Sequence, residues 1–158
     1  RSRGLGDVYK RQILDPADMS KYDFIKLPAY DTWGVLMRKD SPLAQLDVIT
    51  PDDLINQPII CSRQEMVNNE LSGWMNGEFE KLNIIATYNL IYNASLMVEE
   101  GMGYALCLDK LVNTTGDSSL CFRPLSPTLT VGMALVWKKY QVFSRASQYF
   151  LKILRQQL

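Results

Sequence analysis

The chain has 158 residues, 47% hydrophobic and 22% charged, with 17 basic side chains, 17 acidic ones and no histidine. That length suits one domain, or one domain plus a fragment of another, and is enough to bury a core. Without histidine the chain cannot itself supply Ser-His or Cys-His nucleophilic machinery, nor a His-containing zinc site.

No apolar run approaches the roughly 18 residues that span a bilayer, and no signal-peptide pattern opens the chain, so no membrane association is expected. Cys61, Cys107 and Cys121 are odd in number, far apart and set in strand-like apolar runs. They read as buried reduced thiols of a cytoplasmic protein, not as a zinc ribbon, and no metal or cofactor is expected.

Residues 1–12, R-S-R-G-L-G-D-V-Y-K-R-Q, differ in character from the rest. The block from Asp7 to Gln12 looks like the translation of a transposase mosaic-end adapter used in sequencing libraries. The segment is therefore read as adapter-derived rather than native. The alternative is a basic arm touching phosphates. Setting aside its four basic and one acidic residues leaves a net charge of −3, which gives no electrostatic footprint for nucleic acid. Native sequence upstream of Ile13 is expected to have been lost at this junction.

Beyond that point, Ile13 to Pro16 reads as a strand end entering a turn. Residues 21–27 alternate as a strand that Pro28 limits, and residues 33–38, W-G-V-L-M-R, form a second, interior strand. Thr50-Pro51-Asp52-Asp53-Leu54 is a helix start: Thr caps, Pro takes the first position and Asp53 complements the dipole. Ile59-Ile60-Cys61 is a buried strand running into Ser62-Arg63-Gln64-Glu65. Residues 71–82 suit a helix capped by Asn68 or Asn69 and weakened by Gly73 and Gly77.

Residues 83–108 read as strand, turn, helix, Gly corner and strand, one βαβ unit. Asn89 is the expected N-cap; Leu90, Ile91, Ala94, Met97 and Val98 are the buried stripe; Gly101 ends the helix and Gly103 allows a close turn. The helix start falls at the C-terminal end of a parallel strand, where open α/β sheets bind ligands and free N–H groups attract anions. Glu99 and Glu100 oppose the dipole at the other end. Residues 120–124 and 129–137 are further strands. Ser144 caps a last helix with a stripe of Phe143, Ala146, Phe150, Leu151 and Leu154. This alternation predicts an α/β fold with a mainly parallel sheet.

The order T-P-D-D-L, Q-P-I-I-C-S-R-Q, V-E-E-G-M-G-Y-A-L-C-L and L-V-W-K-K before a Ser-capped helix resembles the effector-binding domain of LysR-type transcriptional regulators. The resemblance covers residues 13–158. It implies a type 2 periplasmic-binding-protein-like fold, here one complete lobe plus a fragment of the second. Residues 13–28 would be the end of lobe I and a crossover, 29–139 effector-binding lobe II, and 140–158 a helix returning to lobe I. It further implies a small-molecule effector, self-association through this domain, and DNA contact only through an N-terminal winged helix-turn-helix that this chain lacks. With lobe I incomplete, Phe143, Phe150 or Leu154 should stay exposed.

Effector-binding candidates are loops at strand C-terminal ends: Ser62, Arg63 and Gln64 after the Ile59–Cys61 strand, Asn89 and Ile91 at the central helix start, and Gly103. Arg63 suits a carboxylate, because its planar fork binds such groups bidentately. The bland readings are an exposed Arg paired with Glu65 or water, capping and core packing for Asn89 and Ile91, and backbone geometry for Gly103. A transport solute-binding lobe of the same fold is the alternative function. No paired-carboxylate or Lys constellation favours an enzyme.

Overall fold

The structure, a computed structural model, describes residues 21–63 and 70–158. The readings of residues 1–12, of Ile13 to Pro16, of Gln64 and Glu65, and of an Asn68 or Asn69 cap lie outside the described residues. The described residues divide into two compact units, one within Asp31–Val131 and a second made of residues 21–30 with Gly132–Leu158.

The strands are β1 (Tyr22–Arg38), β2 (Pro58–Ser62), β3 (Asn83–Tyr88), β4 (Tyr104–Leu108), β5 (Leu120–Pro124) and β6 (Thr130–Lys138). The helices are α1 (Pro51–Leu54), α2 (Glu70–Trp74), α3 (Ile91–Glu99) and α4 (Arg145–Gln157). Within Asp31–Val131 the sheet order is β3-β2-β4-β1-β5. β2 pairs in parallel with both β3 and β4, whereas β1 is antiparallel to β4 and to β5. The sheet is thus mainly parallel with one reversed strand inside it.

Both faces of this sheet are covered, which explains the near-continuous apolar runs of its central strands. On one face Leu36, Ile60, Ala105, Cys107 and Leu120 pack with Ala94 and Val98 of α3. By strand alternation Val35, Met37, Ile59, Cys61 and Leu106 point to the other face, and all are buried. The three cysteines are free and buried.

Local chemistry sets the helix ends. Asp53 Oδ2 accepts from the Thr50 amide at 2.8 Å and from its hydroxyl at 2.6 Å, which fixes the start of α1. α3 closes with Met102 N–H donating to Met97 O and Gly101 N–H to Val98 O, with Gly101 at φ +76°. This is the six-to-one, five-to-two pattern that a residue in the left-handed region permits.

Four sequence expectations change. Tyr22–Arg38 is one strand, not two: Pro28 stands exposed along β1, where its missing donor is tolerated. The long helix over residues 71–82 shrinks to α2 and a single 3-10 turn at Phe79–Lys81. Asn76 takes φ +53°, and the same closing pattern (Gly77 N–H to Ser72 O, Asn76 N–H to Gly73 O) ends the helix early. The cap of α3 is Leu90 in extended conformation, not Asn89, and Leu90 O accepts the Asn93 amide at 3.0 Å.

In the other unit the buried face of α4 is rotated from the expected stripe. Ser147 and Leu151 are buried, Phe143 and Leu154 are half-buried, and Ala146 and Phe150 face outward, Phe150 at 45% exposure. Ser147 tolerates burial because its amide and hydroxyl both meet Ser144 Oγ, at 3.2 and 3.0 Å. Phe143 packs edge-on to Trp137 at 6.1 Å between centroids, and the Arg155 guanidinium lies 5.9 Å from that Trp137 ring.

Candidate functional site

β2 leads outward to β3, and the chain then crosses back through α3 to β4 on the opposite side of β2. Strand order therefore reverses around β2, and a crevice at the strands' C-terminal ends follows from that reversal. β2 pairs with β3 over five positions but with β4 over only two, Ile59 with Tyr104 and Ile60 with Ala105. Past the second pair the Leu106 carbonyl accepts instead from the Tyr88 hydroxyl at 2.8 Å. Tyr88 ends β3, so its side chain reaches from one side of β2 to the other across the strand ends.

Ser62 and Arg63 stand at this edge, and the Arg63 amide donates to Tyr88 O at 3.0 Å, tying the ends of β2 and β3 together. Ser62 is half-buried and Arg63 exposed. Asn89 is exposed in the bend before α3, and Ile91 opens the helix while packing against the core. These four candidates occupy one edge. Because Leu90 carries no side-chain acceptor, α3 begins without a side-chain cap, and its first amides keep donors for another acceptor. A positive helix end and a guanidinium on one edge suit an anion.

Gly103 does not join them. It precedes β4, and a Cβ there would lie 2.3 Å from Pro58 O at the start of β2. That is the opposite end of the parallel strands, so Gly103 serves the close approach of two backbones. Gln64 lies outside the described residues.

The structure adds residues that sequence reading did not single out. Asp109, just past β4, exchanges two bonds with Thr32 of β1: its amide donates to Thr32 O at 2.9 Å, and its Oδ1 accepts the Thr32 amide at 2.9 Å. Lys110 Nζ lies 2.8 Å from Asp109 Oδ2. A polar pair directly after the apolar run of β4 was the available signal for Asp109, and the amphipathic ring closing β3 was the signal for Tyr88.

Among the described residues no three metal-capable side chains cluster. Burial pushes the Cys107 thiol up to about 12, so at neutral pH it carries no thiolate to act as a nucleophile. Among the described residues no helix is long and apolar enough to cross a membrane.

A family model described as LysR substrate binding domain matches residues 13–158. A search of curated proteins gave no match. Among solved structures, HinK, a LysR family transcriptional regulator from Pseudomonas aeruginosa, superposes with TM-score 0.72 at 17% identity over 96% of this chain and 52% of its own. The chain thus spans about half of that regulator. The regulatory domain of CcmR from Synechocystis PCC6803 in complex with 2-PG gives 0.70 at 16% identity, covering 94% of this chain and 71% of that one. The effector-binding domain of QuiR in complex with shikimate gives 0.68 at 16%, covering 84% and 63%.

Proposed function

Because the chain belongs to the LysR substrate binding domain family, we propose that the edge formed by Ser62, Arg63, Asn89 and Ile91 is one wall of a site for a small anionic effector. The fold is the type 2 periplasmic-binding-protein-like fold of that family, and the chain is an effector-binding domain of a LysR-type regulator. The observation that carries the ligand class is the pairing of an exposed guanidinium with a helix start that has no side-chain cap. Both features favour a carboxylate or phosphate, and neither favours a neutral ligand. QuiR and CcmR, structures of the same fold, hold shikimate and 2-PG. The transport reading is not favoured, since the family model and these neighbours belong to regulators.

The parent protein, on this reading, is a cytoplasmic, non-enzymatic regulator that self-associates through this domain and meets DNA through a winged helix-turn-helix upstream. Residues 13–28 and 140–158 belong to lobe I and 29–139 to lobe II, with residues 1–12 derived from an adapter. Effector binding acts by differing affinity for two lobe arrangements. Genomic sequence upstream of Ile13 tests this organisation: a winged helix-turn-helix there supports it, and a secretory signal overturns it.

For the site, calorimetric titration of the full-length regulator with small carboxylates and phosphate-bearing acids is the direct test. Arg63→Ala should weaken the best of them by about tenfold or more, the worth of a charge-assisted hydrogen bond. Unchanged affinity would remove Arg63 from the site.

A further inference from the structure

The connection from β4 to β5 joins strands that run the same way with β1 between them, and such crossovers are ordinarily helical. Here residues 109–119 cross without a helix. Ala94 and Val98 of α3 cover part of the sheet face that carries Leu36 and Phe122, and beside that helix the cover is the irregular chain of residues 109–119. A recess of about 380 Å³ remains, with Leu36, Cys107 and Phe122 at its floor and Asn113 and Thr114 on its rim.

The roof is pinned along its length. At one end Asp109 is held by Thr32 and Lys110. In the middle Asn113 Oδ1 accepts from the Thr115 amide at 3.0 Å and its hydroxyl at 2.8 Å, and the Ser118 hydroxyl donates to Asn113 O. At the far end Lys39 N–H donates to Ser119 O at 2.8 Å. The recess is thus preformed, and its volume falls in the lower range of small-molecule sites, roughly 300–1,000 Å³.

Its chemistry differs from that of the β2–β3 edge. The charges beside it, Asp109 and Lys110, neutralise one another at 2.8 Å, and the rim otherwise offers amide and hydroxyl groups. The floor is apolar, and the buried Cys107 stays a neutral thiol. We propose that this recess is a second binding site, taking a small uncharged amphiphile: a single ring seated over Phe122, with a hydroxyl directed to the Asn113–Thr114 rim.

Phenol is the probe, titrated into the isotope-labelled chain by NMR, with benzoate as the charged counterpart. The expected result is saturable shifts confined to amides of residues 112–115 and 122, with nuclear Overhauser contacts from the ring to Leu36 and Phe122. Benzoate should leave those amides still. Val112→Phe, which fills the recess from a half-buried position, should weaken phenol by about tenfold or more. The Overhauser contacts need no variant, so they decide the matter even if Val112→Phe misfolds. Non-saturable shifts, contacts elsewhere, or undiminished binding in folded Val112→Phe would overturn the site.

Discussion

At residue scale, two candidates that looked alike in sequence separate by position. Gly103 has no room for a side chain, since a Cβ would meet Pro58 O at 2.3 Å, so backbone must shift to admit one. Gly103→Ala should lower unfolding free energy by about 2 kcal/mol or more, read by urea titration, while the folded fraction binds effector unchanged. Arg63 stands exposed, and Arg63→Ala should leave stability within about 0.5 kcal/mol while weakening binding. Sequence alone marked both, because a Gly after a helix and an Arg after a strand each carry a signal. Telling which strand end each occupies needs the register of Ile59 with Tyr104, a long-range fact. Cys107 carries a further residue-scale prediction. Burial raises its thiol from 9.0 to about 12, so its preference for the folded state is fully present below pH 9 and is lost as pH rises through 12. Alkylation of Cys107 at pH 8 should proceed only on unfolding; rapid labelling of the native chain would contradict this burial.

At element scale, α3 concentrates what sequence reading got right and what it missed. Its Gly101 end was legible, because only a left-handed residue closes a helix that way. The C-terminal end of α3, where Glu99 and Glu100 oppose the dipole, is met by Arg38 of β1: its Nη1 donates to the backbone carbonyl of Glu99 at 2.9 Å, and Glu100 acts electrostatically on the same guanidinium. Arg38 also grips Asp40, whose carboxyl it holds below the usual range, so one side chain joins β1, its following turn and the helix end. A pairing across 61 positions has no local signature. The start of α3 was misplaced by one residue because Asn is the better cap on propensity, yet the bend at Asn89 and Leu90 delays the helix. Leu90→Ser should supply the missing acceptor and stabilise the fold by roughly 0.5–1 kcal/mol. If the same amides hold the effector anion, Leu90→Ser also weakens binding. A calorimetric affinity that stays constant while the melting temperature rises would detach the helix start from the site.

At the scale of the whole molecule, α/β alternation and a mainly parallel sheet were readable because each strand is a short apolar run followed by turn chemistry. The order β3-β2-β4-β1-β5 was not, since pairing partners are set by packing between residues far apart in sequence. The same limit applies to α4. Its stripe was readable as amphipathic, but which face is buried depends on neighbours, and the structure turns Ser147 and Leu151 inward while Phe150 stays 45% exposed and Tyr149 67%. The regulatory domain of CcmR is longer than this chain, which covers 71% of it. If residues upstream of Ile13 complete lobe I in the parent regulator, they should cover this outward face of α4, because an aromatic left in water forgoes its burial energy. Hydrogen exchange within α4 should then slow by about tenfold or more in the full-length regulator relative to the isolated chain, as local opening costs more when the helix is packed on both sides. Phe150→Ser should undo that slowing, speeding exchange of α4 in the full-length protein, and leave the isolated chain nearly unaffected. Equal exchange of α4 in both proteins would mean that its aromatic face remains a surface, and the assignment of residues 140–158 to lobe I would fall with it.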